Sequence, residues 1–355
     1  MSAGAAETFA ASLSRRVEGL RGGRAFANYM TAREQVVAMK EREAAASGEA
    51  LRPSDYWREE LAGFEYMLDA SPLVVEKLRH HTYHLTGLRT YDYRTHAAKA
   101  RQMVEDKLEA LLELGGEDLA VPESPELGGF GFEIDGALWN VDTLKFLECS
   151  LALRRGGVLP DLEARRERLV VWEIGGGWGG YAHQFKTLFP NATYMITDLP
   201  EVLLFSATYL MTVFPEAHVR FHAAGDDDSA LADVEEADFV FAAHTALDTT
   251  RPERLDLALN MVSFQEMTAA QVRGYVDHAW RLGSPWLYSL NRDRSHYNEE
   301  ISSVGAILRE RYWTHEVPML PVSYPQPLPA KWRKRRPKPP PSRYKHMVGW
   351  PQMDL

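Results

Sequence analysis

Cysteine is almost absent: Cys149 is the only one in 355 residues. That excludes an internal disulfide and fits a reducing, cytoplasmic setting. No run of about 18 apolar residues occurs, which leaves no candidate transmembrane helix. Met1 to Leu20 lacks an apolar core and carries Arg15-Arg16, so no secretory signal is expected. No Cys/His cluster has zinc spacing, and no internal repeat is visible. Basic charge is scarce over most of the chain. The formal net charge is −10, yet the segment Lys331 to His346 gathers eight Lys/Arg and no acid, so the rest carries about −18. An acidic body argues against nucleic acid as a partner. The segment Lys331-Trp-Arg-Lys-Arg-Arg-Pro-Lys-Pro-Pro-Pro341 reads as a Pro-stiffened, solvated tail, with docking of an acidic partner as the alternative.

Glycine, by contrast, is concentrated in one place. In Leu169-Val-Val-Trp-Glu-Ile-Gly-Gly-Gly-Trp-Gly-Gly180 an apolar run ends in an acid and then in a glycine-dense turn, and Tyr181 to Phe189 reads as helix. Strand, turn and helix in this order bring backbone N–H groups close to a nucleotide-like ligand. A second strand, Ala192-Thr-Tyr-Met-Ile-Thr-Asp198, ends in an acid near the roughly 20-residue spacing expected of a ribose-binding carboxylate. The glycines are ambiguous: Gly175, Gly177 and Gly180 satisfy G-x-G-x-x-G, whereas Gly175, Gly177 and Gly179 satisfy G-x-G-x-G. Glu173 separates the readings. A carboxylate there repels a pyrophosphate but suits a cation, and S-adenosylmethionine carries a sulfonium and an ammonium and no phosphate. The methyl donor is therefore the expected cofactor, with a nicotinamide dinucleotide as the alternative.

The rest of the chain divides in two. Residues 1–50 look helical and polar, with a break at Gly22-Gly23. Trp57, Leu61, Phe64 and Leu68 form one apolar helical face, and Ser71-Pro72 is a helix start. Helices are also expected over about 95–114 and 142–153. From Leu169 onward strands alternate with helices: 237–243, 255–261 and 286–290 read as strands, 200–214 as a helix, and Thr268 to Gln271 as a capping box. Val219 to Ala223 is an uncertain strand. The expected fold class is α/β: a Rossmann-like, mostly parallel sheet with helices on both faces, preceded by a mainly helical N-terminal domain. The expected boundaries are a helical cap domain over 1–154, a cofactor-binding catalytic domain over 155–330 and a basic tail over 331–355.

Five segments carry a more particular likeness: Glu173 to Gly180, Phe189 to Tyr194, Thr197 to Val202, Asn260-Met-Val-Ser-Phe-Gln-Glu-Met267 and Tyr288-Ser-Leu-Asn291. Over about residues 125–295 the chain resembles the bacterial sugar O-methyltransferases, and the Ser263 to Met267 block is the most particular part. The resemblance implies an S-adenosylmethionine-dependent enzyme with a Rossmann-like core, and implies methyl transfer more firmly than a sugar acceptor.

Methyl transfer from a sulfonium is an in-line displacement, and an alcohol acceptor gains from a positioned base. The candidates are His244, after the strand 237–243, and Glu266, after the strand 255–261. A loop histidine and a helix-entry carboxylate are their bland alternatives. The cofactor-binding set is Glu173, Gly175, Gly177, Gly179, Asp198, Leu199, Asn260 and Ser263. The acceptor-binding set is Tyr83, His84, Gln265, Asn291 and Arg292, and the glycine-bearing loop with Phe130 and Phe132 is a candidate lid. Trp178 either shields the site or packs. Asp226-Asp-Asp228 could hold a divalent metal, but a solvated loop is favoured and no metal site is assigned. The expected function is O-methylation of a polar small molecule, with N- or carboxyl-methylation, an oxidoreductase or a catalytically silent binding protein as alternatives. A homo-oligomer is left open.

Overall fold

The computed structural model describes residues 3–45, 53–94, 97–227, 231, 233–294, 298, 300, 301, 303–319 and 343–352. A small hairpin pairs β1 (Phe132–Ile134) with β2 (Ala137–Trp139). The central sheet contains β3 (Leu169–Ile174), β4 (Ala192–Asp198), β5 (Val219–His222), β6 (Phe239–Ala243), β7 (Leu257–Met261), β8 (Leu287–Asn291), β9 (Tyr312–Val317) and β10 (Lys345–Pro351). Its order is β5-β6-β4-β3-β7-β8-β10-β9. The first six are parallel, and β10 runs antiparallel to both β8 and β9. This is the α/β, Rossmann-like sheet expected, with helices on both faces.

Strand alternation sorts side chains into two cores. Val171, Tyr194, Ile196, Phe241, Leu259 and Tyr288 face one layer. Val170, Trp172, Ile174, Met195, Val240 and Ala258 face the other, which is covered by the helix Ala269–Arg281. The first layer contains the helices Val141–Arg155, Gly180–Leu188 and Pro200–Val213 and extends without a break into the N-terminal half. There the helix Arg24–Ala45 buries Tyr29, Ala32, Val36 and Met39, one helical stripe, and packs on the helix Pro200–Val213. The break at Gly22-Gly23 separates it from the helix Ala3–Arg21.

Three local expectations change. The boundary at 154/155 falls inside the helix Val141–Arg155. The segment set apart as a tail from Lys331 ends in an inner strand: Met347 and Val348 of β10 are buried between β8 and β9. A strand flanked by Lys, Arg and Pro gives a weak alternation signal, so its two apolar residues were lost in the charge. Lys331 to Pro341 lie outside the described residues. The glycine-bearing loop with Phe130 and Phe132 runs into the β1–β2 hairpin, with Phe132 in β1. Among the described residues, no helix is long and apolar enough to cross a membrane.

Beneath the sheet, Glu148 of the helix Val141–Arg155 is fully buried. Its Oε2 faces Lys107 Nζ at 2.9 Å, and its Oε1 faces His346 Nε2 of β10 at 3.0 Å. His346 Nδ1 lies 2.7 Å from the Tyr288 hydroxyl of β8. One carboxylate thus ties the helical half to two strands. Glu148→Ala is expected to cost about 3–5 kcal/mol, because removing one member of a buried pair leaves uncompensated charge. Urea denaturation followed by circular dichroism checks this; a loss under about 1 kcal/mol would mark the network as dispensable.

Candidate functional site

A cleft opens at the C-terminal ends of β3, β4, β6 and β7, where open α/β sheets bind ligands. Its floor is the glycine turn. Gly175, Gly177 and Gly179 all have positive φ (75, 57 and 84°). At Gly175 a Cβ would come within 2.0 Å of Ser263 Oγ, whereas at Gly177 it would meet nothing within 4 Å. Gly175 is therefore required by packing. Gly177 turns its bare Cα to the cleft, where a ligand can approach the backbone. Gly179 caps the helix Gly180–Leu188.

Glu173 lies beneath this turn, buried, and accepts a hydrogen bond from the Tyr194 hydroxyl at 3.0 Å. Burial pushes its carboxyl up to about 8, with the Tyr194 bond opposing the shift and Asp198 adding to it. Asp198 ends β4 and accepts from the backbone N–H of Gly177 at 2.9 Å and of Leu199 at 2.8 Å. Burial pushes it up to about 7 despite those two bonds. Asp198 thus shapes the glycine turn before it meets any ligand, and each of its oxygens keeps a further lone pair for one. Leu199 lines the cleft beside it.

His244 follows β6 and lines the same end of the cleft; Ala243 pairs with Asp198 across the sheet. Its Nε2 lies 3.5 Å from Glu43 Oε1, so the N-terminal helix Arg24–Ala45 reaches the site's edge. Glu266, in the short turn Phe264–Glu266 after β7, lines the opposite part. Burial pushes its carboxyl up to about 8, reinforced by Glu60 and Asp198 and opposed by Lys145. The backbone around it is clamped. Ser54 Oγ donates to Glu266 O at 2.9 Å, and Asn298 Nδ2 donates to Gln265 O and Met267 O at 3.2 and 2.8 Å. Val262 holds φ at 69°, a rare conformation for a β-branched residue, in the turn that brings Ser263 and Glu266 to the cleft.

Several residues expected to touch a ligand are instead committed to the protein. The Asn260 amide donates to Ile174 O and Ser263 Oγ and accepts from Phe264 N and Asn291 Nδ2, which uses its whole bonding capacity. Asn291 also donates to Ser289 Oγ and accepts from Gln265 N; Gln265 Oε1 accepts from Arg292 N. Arg292 stacks on Tyr344. These four polar residues frame the strand ends, and among their partners Ser263 and Tyr344 line the cleft. Tyr83 and His84 stack on each other at 3.9 Å, with Phe64 and Tyr66 against His84, away from the cleft. The same segment reaches it through Leu85, Thr86 and Leu88, one turn later.

The candidate lid is packed down. Phe130 and Phe132 are buried against Tyr93, and a Cβ on Gly129 or Gly131 would run into backbone carbonyls at 1.8 and 2.6 Å. Those glycines serve close packing, not mobility. Trp178 is buried in the turn under Arg79, whose guanidinium lies 3.4 Å from the ring and is itself held by Glu123. Asp226 is engaged by Arg42 and by Ala223 N–H, and Asp228 lies outside the described residues. Among the described residues, no group of three or more His, Cys, Asp or Glu could hold a metal ion. Residues missed in the sequence complete the cleft: Ser54, Trp57, Asp142, Lys145, Phe146 and Tyr344.

Residues 155–257 match a family model described as an O-methyltransferase domain. That stretch contains the glycine turn, Glu173, Asp198 and His244. Over those residues the chain is similar to an O-methyltransferase domain. No curated protein matches it. Similar solved structures include EvdMO1, at 15% identity and TM-score 0.36, covering 69% of this chain. The chain covers 47% of EvdMO1, about half its length. The precorrin-6y C5,15-methyltransferase of Geobacter metallireducens is 14% identical with TM-score 0.34, covering 55% of this chain and 87% of its own. The N-methyltransferase NodS of Bradyrhizobium japonicum is 13% identical with TM-score 0.35, covering 56% of this chain and 95% of its own.

The residues fit the methyl donor. Glu173, Asp198 and Glu266 form an acidic floor suited to a cation, while a pyrophosphate would meet buried carboxylates. In the free enzyme Glu173 holds a proton up to about pH 8, far above its ordinary 4.5. Its contribution to stability is complete below the ordinary value and is lost as pH rises through about 8. Glu173→Gln is therefore expected to raise the melting temperature of the ligand-free protein at pH above 8 and to weaken S-adenosylmethionine. Calorimetry in buffers of different ionisation enthalpy is expected to show net proton release when the donor binds at neutral pH, reduced in the variant. Proton uptake would contradict the assignment of the acidic floor.

Proposed function

We propose that this chain is an S-adenosylmethionine-dependent methyltransferase that acts on a hydroxyl of a polar small molecule, a sugar or natural-product intermediate, with Glu266 as the base. The observation that carries the reading is the Glu266 carboxylate: it lines the cleft, it makes no hydrogen bond to a described side chain, and its proton affinity is raised to about 8. A carboxyl tuned near neutrality is a stronger base than an exposed one and is still ionised in part at neutral pH. The match to an O-methyltransferase domain supports oxygen as the acceptor atom.

When bound, S-adenosylmethionine supplies a methyl group activated by its sulfonium. On this reading Asp198 takes the ribose hydroxyls and Leu199 and His244 the base, which places His244 with the donor and leaves Glu266 facing the acceptor. Glu266 withdraws the hydroxyl proton as oxygen approaches carbon. Trp57, Leu85, Leu88 and Phe146, which line the cleft, exclude water and press the acceptor toward the glycine turn. Thr86 lines it with a hydroxyl able to accept from a further hydroxyl. Ser54 caps the helix Asp55–Phe64, which carries Trp57, and donates to Glu266 O, so one hydroxyl sets the acceptor wall against the base.

Glu266→Gln is expected to lower kcat by about 10²–10⁴-fold while leaving S-adenosylhomocysteine affinity within about threefold. In the unaltered enzyme the rate should climb with pH toward about 8, since the carboxyl must lose its proton, and this limb should vanish in the variant. Mass spectrometry of hydroxylated acceptors incubated with the donor supplies the assay. Full activity in Glu266→Gln would remove Glu266 as base.

A further inference from the structure

The cleft's acidic residues account for a cationic ligand, but one lining group has the opposite sign. Among the described residues lining the cleft, Lys145 is the only lysine or arginine. It sits on the first turns of the helix Val141–Arg155, largely buried, with Nζ 3.0 Å from Asp142 Oδ1. Burial alone would lower its ammonium, yet Asp142 overrides burial and holds it above the usual lysine value. It therefore stays charged. An ammonium has three donors. Asp142 takes one, and no other hydrogen bond from Lys145 to a described residue is formed.

Asp142 has a second tie, to the glycine turn: Trp178 Nε1 donates to its Oδ2 at 3.3 Å. Phe146 packs where a Cβ on Gly180 would sit, at 2.5 Å. The pair is thereby fixed at the mouth of the turn, next to Glu173, whose proton affinity Lys145 lowers. A buried ammonium with spare donors beside a buried carboxylate is complementary to a zwitterion.

We infer that Asp142 and Lys145 receive the amino-acid end of the methyl donor: Lys145 binds its α-carboxylate, and Asp142, with Glu173 behind it, its α-ammonium. This rests on the donor being S-adenosylmethionine. It explains why a cleft built for a cation keeps one lysine. The donor's net charge is positive, but its tail ends in a carboxylate that an all-acidic cleft would repel. Neither residue touches the nucleoside end, which falls to Asp198, Leu199 and His244.

The test compares two ligands that differ only in that tail. S-adenosylhomocysteine carries it, and 5′-methylthioadenosine lacks it. By calorimetry, Lys145→Met is expected to lose at least tenfold in affinity for S-adenosylhomocysteine, as for a hydrogen bond to a charged group. Its affinity for 5′-methylthioadenosine should stay within about twofold of the unaltered enzyme's. Because Lys145→Met strands a buried carboxylate, Asp142→Asn/Lys145→Met provides a charge-neutral second variant that should show the same selective loss. Equal losses for both ligands, or an undiminished S-adenosylhomocysteine affinity with only the acceptor KM raised, would overturn the inference. Failure of the unaltered protein to bind either ligand would instead overturn the donor assignment.

Discussion

The structure depends on one costly act, the burial of a carboxylate beneath a backbone turn. Glu173 is about 1% exposed at the end of the central strand β3. Isolated ionised carboxylates do not survive in such a place; they take a proton or find a partner. In the free enzyme Glu173 does both, holding its proton to about pH 8 and accepting from Tyr194. The glycine turn follows because Ser263 leaves no room for a Cβ at Gly175. Asp198 then fixes the turn by accepting from Gly177. Each element answers the one before it, and the outcome is a site whose ionisation remains incomplete until a cation arrives.

This constraint also explains the rigidity around it. A carboxylate kept for binding is useful only if it cannot turn away, and the surrounding polar residues spend their bonding capacity on one another. Asn260, Asn291 and Gln265 bond across β3, β7 and β8 and hold the strand ends in register. Val262 is held in a disfavoured conformation in the adjoining turn. Such strain persists where the surroundings over-determine it, and here the frame of amides does so.

The parts legible in the sequence were those whose signal is local. Glycine spacing, a strand ending in Asp198 and the Thr268/Gln271 capping box that opens the helix Ala269–Arg281 depend on neighbours a few residues apart. What misled was residue type without partner. Asn260, Asn291, Gln265 and Arg292 read as ligand contacts because polar groups at strand ends often are, yet each also bonds to a residue distant in sequence, as Asn260 does to Ile174 and Asn291, and Gln265 to Arg292, and such partners are invisible to any local pattern. Tyr83 and His84 belonged to the right segment but not to its cleft-lining residues, because the His84 ring packs against Phe64 and Tyr66 with Tyr83 on its outer side. The glycines near Phe130 read as freedom and proved to be close packing. Lys145 escaped notice because a lysine three residues after an aspartate on a helix is usually an exposed pair. Only the fold turns this one into a cleft.

The two halves of the chain divide the recognition problem by kind of force. The floor at the ends of β3, β4 and β7 is charged, and charge acts at a distance and tolerates small errors of position. The wall supplied by Trp57, Leu85, Leu88 and Phe146 is apolar and discriminates by contact, which falls away within an ångström. On the proposed reading the donor is drawn by the first and the acceptor is shaped by the second. A wall that works by contact must be registered against the floor to within a fraction of that distance. The continuous core beneath the sheet, the Glu148 network and the Ser54 bond to Glu266 O provide that register. The N-terminal helices are accordingly part of the active site's geometry, and their sequence should tolerate change at Tyr83 or Tyr66 on the outer face far better than at Ser54 or Trp57.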